Sequence, residues 1–179
     1  MLGGISSEMT QTGSDSWNER TNVKKGNVGE QIVFNYLRNK DYVVYRPVTD
    51  GAHPFDNLCV SRDKKTIFIA EIKTKEARQY YPDTGIDIKN YNEYKFIQNK
   101  YNLQIFLFFV DAANLKIYGN FLDRLETQKV EGKYSYPLRQ NNIIYFPLSN
   151  MEMVSELTTE QAKAIERYNT KNYNGTWIF

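Results

Sequence analysis

Residues 55–73 of the chain read FDNLCVSRDKKTIFIAEIK, with two apolar runs on either side of a charged turn. Runs rich in β-branched and aromatic residues that flank a short polar segment are typical of a β-hairpin. The second run is apolar at each position from Ile67 to Ala70, as expected of a central strand covered on both faces. The sequence therefore predicts antiparallel strands over residues 55–61 and 66–73, the second of which ends in charged side chains.

The register of this hairpin brings charged side chains together. In a ladder centred between Asp63 and Lys64, the numbers of paired residues add up to 127, so Asp56 stands opposite Glu71. Opposite residues share a face with Cβ atoms about 4.5–5.5 Å apart, and like charges in such a pair are destabilising. Lys73, two positions beyond Glu71, projects from the same face. Two carboxylates and one ammonium are therefore expected to converge.

A divalent cation would offset the repulsion between Asp56 and Glu71. Mg²⁺ favours one or two carboxylates together with waters and phosphate oxygens, a combination that suits phosphodiester hydrolysis. Lys73 is then expected to orient the attacking water or to stabilise developing negative charge. The alternative is a solvated ion-pair cluster at a strand end, and a single bulge in the hairpin would move Asp56 off that face.

A first helix is predicted from Asn27 to about Lys40, where apolar residues recur at helical spacing. Asn27 is a candidate N-cap, which makes Glu30 the third residue of a capping box. Glu30 also shares a helix face with Val33 and Leu37, and this turns its carboxylate toward the buried side. A capping role and a place beside the metal both remain open for Glu30.

The rest of the chain supplies the further elements of an α/β domain. Additional strands are predicted over residues 42–46, 104–111, 116–120 and 142–147. A second helix is predicted over residues 88–101, and a terminal helix over residues 158–168 begins with a capping box formed by Thr158 and Gln161. Residues 122–140 are predicted to form a plain connecting loop, with an insertion that binds DNA or a partner as the alternative.

Length and composition indicate a single soluble domain. The 179 residues are 41% apolar, enough for one sizeable core. A lone cysteine excludes an internal disulfide, and the sequence has no 18-residue apolar span, so we expect a cytoplasmic protein with no membrane partner. Residues 1–22 are expected to form a flexible arm and residues 23–179 one α/β domain, with its core at about 26–112 and a C-terminal extension over 113–179.

Three sequence elements resemble the PD-(D/E)XK nuclease superfamily. They are Gly29-Glu30, His53-Pro54-Phe55-Asp56 and Glu71-Ile72-Lys73. The resemblance implies a restriction-endonuclease-like fold, which is an α/β fold with an α-β-β-β-α-β core and a mixed central sheet flanked by helices. That order agrees with the elements predicted above. One departure is that a phenylalanine separates the proline from the aspartate, so the motif reads P-F-D in place of P-D.

The resemblance also implies roles for individual residues. Asp56 and Glu71 would bind Mg²⁺, for which Mn²⁺ would substitute, and Lys73 would be the catalytic lysine. Glu30 matches the helix carboxylate of Holliday-junction resolvase-like members and would join the metal ligands. Asn90 and Tyr94 resemble the Q-x-x-x-Y element of the RecB-like branch, with Asn in place of Gln, although a core aromatic explains Tyr94 equally well.

The segment between the catalytic strand and the second helix is predicted to be a loop that meets DNA. Residues 62–100 carry nine basic and six acidic side chains, a local charge of +3. Four residues of the loop would contact phosphates or stack on exposed bases: Lys75, Arg78, Tyr80 and Tyr81. The alternative is a mobile polar loop.

The sequence thus predicts a Mg²⁺-dependent DNA endonuclease. Two alternatives stay open, a catalytically silent DNA-binding module with a nuclease fold and a nuclease subunit active only with a partner protein. Such a partner would come from a recombination, transposition, restriction or replication system, and a homodimer is a further possibility.

Overall fold

The computed structural model describes residues 20–48 and 53–168. Within them the chain forms four α-helices: α1 Thr21–Asn39, α2 Ile88–Tyr101, α3 Leu122–Leu125 and α4 Thr159–Glu166. The strands are β1 Val43–Tyr45, β2 Asn57–Val60, β3 Ile67–Lys73, β4 Asp83–Asp87, β5 Gln104–Asp111, β6 Lys116–Phe121, β7 Lys129–Glu131, β8 Tyr134–Tyr136, β9 Leu138–Gln140, β10 Ile143–Pro147 and β11 Glu152–Glu156. In this part of the chain no helix is long and apolar enough to cross a membrane.

A six-stranded mixed sheet forms the centre of the domain, in the order β1-β2-β3-β5-β6-β11. Strands β3 and β5 pair in parallel, while the other pairs are antiparallel. A parallel pair needs a crossover connection, and here α2 supplies it. The predicted α/β class and the mixed central sheet flanked by helices are confirmed.

Strand β3 separates two hydrophobic cores because its side chains alternate between the faces of the sheet. Phe68, Ala70 and Ile72 pack with α1 and α4 in one core. Ile69 packs with α2, α3 and the apolar residues of β10 in the other. Glu71 has the same parity as Ile69, so it points into the second layer at a position where an apolar residue would be expected.

The first helix begins at Thr21, six residues before the predicted start. Asn27 is therefore inside the helix, and its predicted N-cap role and the capping box with Glu30 are wrong. The early turns are polar, and without an apolar stripe they carry no helical period for the sequence to show. Of the predicted arm, residues 1–19 lie outside the described residues, and Thr21 and Asn22 belong to α1. The predicted capping box at Thr158 and Gln161 is confirmed.

A second, three-stranded sheet in the order β4-β10-β9 was not predicted in full. Strand β4 occupies a segment that was predicted to be a loop. The sequence does not indicate this strand, because its buried residues include Asp83, Thr84 and a glycine and so show no apolar pattern. Gly85 is required there, since a Cβ atom would lie 2.3 Å from the carbonyl oxygen of Ile144. The plain loop predicted over residues 122–140 is wrong too: this segment forms α3, the β7–β8 hairpin and β9.

Helix α1 packs closely against the end of β3 at Gly29. A Cβ atom at this position would lie 1.9 Å from Thr74 Oγ1 and 3.1 Å from Thr74 Cβ. Only glycine allows the helix to approach the strand so closely, and the approach sets the position of the next residue, Glu30.

We predict that Gly29→Ala destabilises the fold by about 1–3 kcal/mol, because the added methyl group overpacks this contact. Gly26→Ala is the matched control, since nothing lies within 4 Å of its Cβ position in the same helix. That control should gain up to about 1 kcal/mol from helix propensity. Urea unfolding of the two variants measures both effects, and equal stabilities would contradict the prediction.

Candidate active site

The candidate site lies at the carboxyl end of β3, where the predicted hairpin register is confirmed. Asn57 pairs with Ala70, and the same register continues to Val60 opposite Ile67. Asp56 directly precedes this ladder, and its Oδ2 accepts a hydrogen bond of 2.6 Å from the backbone N–H of Ile72. This bond holds the Asp56 carboxylate next to the end of β3.

Glu71 is the most buried charged group of the site, with 3% of its surface exposed. Its Oε1 accepts hydrogen bonds of 2.5 Å from Lys73 Nζ and of 2.5 Å from the Tyr94 hydroxyl. Its Oε2 is buried and has no hydrogen-bond partner in the described residues. A buried polar atom without a partner costs free energy unless something binds to it. One oxygen of Glu71 is therefore held in place while the other is available as a ligand.

The charge of Glu30, on α1, acts on the same groups as that of Glu71. Burial, with the nearby carboxylates of Glu71 and Glu30, raises the pKa of Asp56 to about 8, against the opposing effects of the Ile72 N–H and Lys73. Burial lowers the pKa of Lys73, but the neighbouring carboxylates outweigh it, so the net shift is upward. Lys73 therefore stays protonated, and the charges of Glu71 and Glu30 oppose ionisation of Asp56.

Helix α1 is fixed over the strand end by Arg46, which directly follows β1. Its guanidinium donates to the backbone oxygen of Glu30 at 3.1 Å and to Gln31 Oε1 at 3.0 Å. It also lies 4.0 Å from the ring centroid of Phe34. We did not predict this role, since no spacing in the sequence links Arg46 to the helix.

Tyr94 fits both interpretations offered by the sequence. It is a core residue of α2, and its hydroxyl also reaches Glu71. Burial, with the charge of Glu71, raises its pKa, so the phenol remains a hydrogen-bond donor. Asn90 lies one turn earlier on the same face of α2.

The four loop residues predicted to meet DNA differ in their surroundings. Lys75 Nζ donates to the Gly85 oxygen at 3.2 Å, and burial lowers its pKa. The Arg78 guanidinium binds Asp83 through bonds of 2.6 and 2.5 Å. Tyr80 is 83% exposed, whereas Tyr81 packs against another tyrosine of the β7–β8 hairpin. Contact with DNA by these four residues stays a prediction.

Two carboxylates of the site, those of Asp56 and Glu71, are the groups that could hold a metal ion. Among residues 20–48 and 53–168, no three His, Cys, Asp or Glu side chains form a ready-made metal cluster. Mg²⁺, however, usually takes one or two carboxylates and completes its octahedron with waters and substrate phosphates. Asp56 and the free Oε2 of Glu71 can supply those two carboxylate ligands.

Comparison with known proteins supports the fold. No family model matches the sequence, and no curated protein sequence matches it significantly. Among solved structures, the chain is similar to Hjc, a Holliday junction resolvase from the archaeal hyperthermophile Archaeoglobus fulgidus, with a TM-score of 0.50 and 13% identity. The match covers 76% of this chain and 99% of that chain. At this identity the similarity shows the fold alone, and it confirms the restriction-endonuclease-like fold.

The raised pKa of Asp56 leads to a prediction for the protein in EDTA. Between its ordinary pKa of 3.8 and about 8, folded Asp56 holds a proton that the unfolded chain has lost. Wild-type stability should therefore fall as the pH rises through this window. Asp56→Asn keeps the oxygen that accepts from Ile72 and removes the charge, so its stability relative to wild type should rise across the window and level off above it.

Thermal unfolding at several pH values measures this difference. Each kcal/mol of repulsion removed should raise the melting temperature by about 2–4 °C. Glu152→Gln, on an exposed position of β11, is the control for loss of one negative charge. An Asp56→Asn variant that is no more stable than wild type at alkaline pH would contradict the prediction.

Proposed function

We propose that this chain is a metal-dependent DNA endonuclease that hydrolyses phosphodiester bonds. One observation carries the proposal: Asp56, Glu71 and Lys73 converge at the end of a central strand, where Glu71 Oε2 is buried without a partner. A structural ion pair would not need the second carboxylate. The likeness of the fold to a Holliday junction resolvase supports the same activity.

Asp56 and Glu71 would hold Mg²⁺ or Mn²⁺, with Glu30 contributing directly or through a water. A cation bound there would counteract the burial and the neighbouring carboxylates that raise the pKa of Asp56. When bound, such an ion lowers the pKa of a coordinated water and stabilises negative charge on the phosphate. This chemistry is what phosphodiester hydrolysis requires.

The protein side chains position the reaction. Lys73 remains a cation beside Glu71, and its compact ammonium would stabilise the charge that develops on the phosphate oxygens or orient the attacking water. Tyr94 and the Ile72 N–H each hold one carboxylate oxygen, so the remaining oxygens keep a fixed direction. The burial of these contacts strengthens them relative to the same contacts in water.

DNA is the proposed substrate, and its form is open to test. The local charge of +3 over residues 62–100 would attract a phosphate backbone. Because the structurally similar protein is a Holliday junction resolvase, a four-way junction belongs among the first substrates. A homodimer or a partner protein remains an option for the active assembly.

We predict that Lys73→Ala abolishes most of the cleavage of DNA by the wild type in Mg²⁺ or Mn²⁺. Removing one preorganised stabilising group lowers the rate by about 10²–10³-fold in comparable sites. Labelled duplex, single-stranded and four-way-junction DNA are the substrates, and EDTA should stop the reaction. Lys65→Ala is the matched control, because that side chain is 83% exposed on the β2–β3 turn.

The outcomes separate the nuclease from its alternatives. Cleavage lost with Lys73→Ala and kept with Lys65→Ala supports catalysis at this site. Unchanged cleavage by Lys73→Ala would contradict the assignment. Salt-sensitive binding of DNA by the wild type without cleavage in any metal would favour the silent binding module instead.

A further inference from the structure

An open cleft of about 460 Å³ lies between the loop that follows β3 and the β7–β8 hairpin. Its volume falls in the range of sites for small ligands, about 300–1,000 Å³. Four of its eight lining residues are tyrosines, and the lining residues used below are Tyr80, Tyr81, Pro82, Lys133, Tyr134 and Tyr136. Separate surface aromatics are common in proteins, but four tyrosines facing one cleft are a concentrated apolar surface.

Both walls of the cleft are anchored to one buried carboxylate, that of Asp83. From the loop, the Arg78 guanidinium donates two hydrogen bonds to it. From the hairpin, the Tyr136 hydroxyl donates to Asp83 Oδ2 at 2.6 Å. Asp83 has no exposed surface, so these charge-assisted bonds are shielded from water. Asp83 therefore connects the loop to the hairpin and sets the width of the cleft between them.

The four tyrosines of the cleft differ in their exposure, and Tyr136 is buried. Tyr80 is 83% exposed at the mouth. The rings of Tyr81 and Tyr134 meet edge to face, with centroids 5.2 Å apart, so the loop and the hairpin are in direct contact. The Arg78 guanidinium lies 4.2 Å from the Tyr81 ring centroid and makes a cation–π contact with that ring. The rings of Tyr81 and Tyr134, which pack against each other, lose little entropy when a planar ligand stacks on them.

The charge around the cleft suits a phosphate-bearing ligand. The two-residue turn of the hairpin has Gly132 at φ +60° and places the exposed Lys133 at the tip. Lys133 Nζ lies 5.3 Å from the Tyr134 ring centroid. The one carboxylate of the lining, Glu131, is engaged by Lys129 Nζ at 3.5 Å and by the Ser149 hydroxyl.

The cleft is within reach of a DNA strand that occupies the candidate active site. Tyr80 is seven positions after Lys73, so their Cα atoms lie at most about 25 Å apart. A duplex rises about 3.4 Å per nucleotide of one strand, so this distance corresponds to at most about seven nucleotides. A base stacked in the cleft and a phosphate at Lys73 can therefore belong to one strand.

We propose that this cleft binds an unpaired DNA base, stacked on Tyr80 and Tyr134, while Lys133 contacts its phosphate. Bases in a duplex are already stacked on their neighbours, so the cleft selects DNA that has a single-stranded segment within a few nucleotides of the cut. The nuclease would thus act on branched, overhanging or single-stranded DNA in preference to continuous duplex. The preference in cleavage rests on the proposed function, whereas binding of the base does not.

Binding in EDTA tests the cleft separately from catalysis. The probes are a labelled blunt duplex and the same duplex extended by a ten-nucleotide single strand that carries one 2-aminopurine. We expect tighter binding of the extended duplex, and we expect Tyr80→Ala or Tyr134→Ala to weaken it about 10- to 100-fold, as for loss of base stacking on an aromatic ring. Tyr80→Phe should bind like the wild type, because it keeps the ring. Tyr101→Ala, a change of a half-exposed tyrosine on α2, is the matched control and should also bind like the wild type.

The fluorescence of 2-aminopurine distinguishes stacking from a general loss of affinity. It should be quenched on binding to the wild type and should remain unquenched with saturating Tyr80→Ala. Unchanged affinity in both alanine variants, an equal loss for the blunt duplex, or no DNA binding by the wild type would each overturn the inference. A wild type that binds the extended duplex in a Tyr80-dependent manner but cleaves nothing in Mg²⁺ or Mn²⁺ would refute cleavage by this chain alone and leave the base-binding cleft intact.

Discussion

The buried carboxylate of Glu71 is the constraint on which the rest of the site depends. A charge in the interior of a sheet is tolerated only when it is paired and hydrogen-bonded. Lys73 and Tyr94 satisfy one oxygen, and the crossover helix α2 must lie over β3 for Tyr94 to do so. The same crossover connects β3 with β5, its parallel neighbour in the sheet. One acidic side chain therefore links the order of the strands to the chemistry at their ends.

The hairpin that carries the site was predictable because its information is local. Two apolar runs and a short charged turn determine a register by counting, and the observed pairs follow it. The turn itself is closed by side chains within the segment: Ser61 Oγ donates to Asp63 at 2.6 Å, and Lys64 adopts a φ of +59°. The pairing of Asn57–Val60 with Ile67–Ala70 was therefore predictable from this segment alone.

Elements that depend on tertiary contacts could not be predicted from the sequence. The early turns of α1 are polar, and β4 buries polar residues whose partners come from distant parts of the chain. Asp83 is an example, since its hydrogen bonds reach five positions back to Arg78 and fifty-three positions forward to Tyr136. No window of sequence contains that pattern. The hairpin that forms one wall of the cleft was missed for the same reason.

The short turn between β2 and β3 also bears on how the chain folds. Only fifteen positions separate Asp56 from Glu71, so the entropy lost in bringing them together is small. Tyr94 is twenty-three positions from Glu71 and contacts it only after the crossover has formed. Such a non-local contact forms more slowly than a hairpin. Lys73, in contrast, is on the same strand as Glu71 and needs no loop closure to meet it. The carboxylates of Asp56 and Glu71 thus have their counterion, Lys73, within the same short segment of chain.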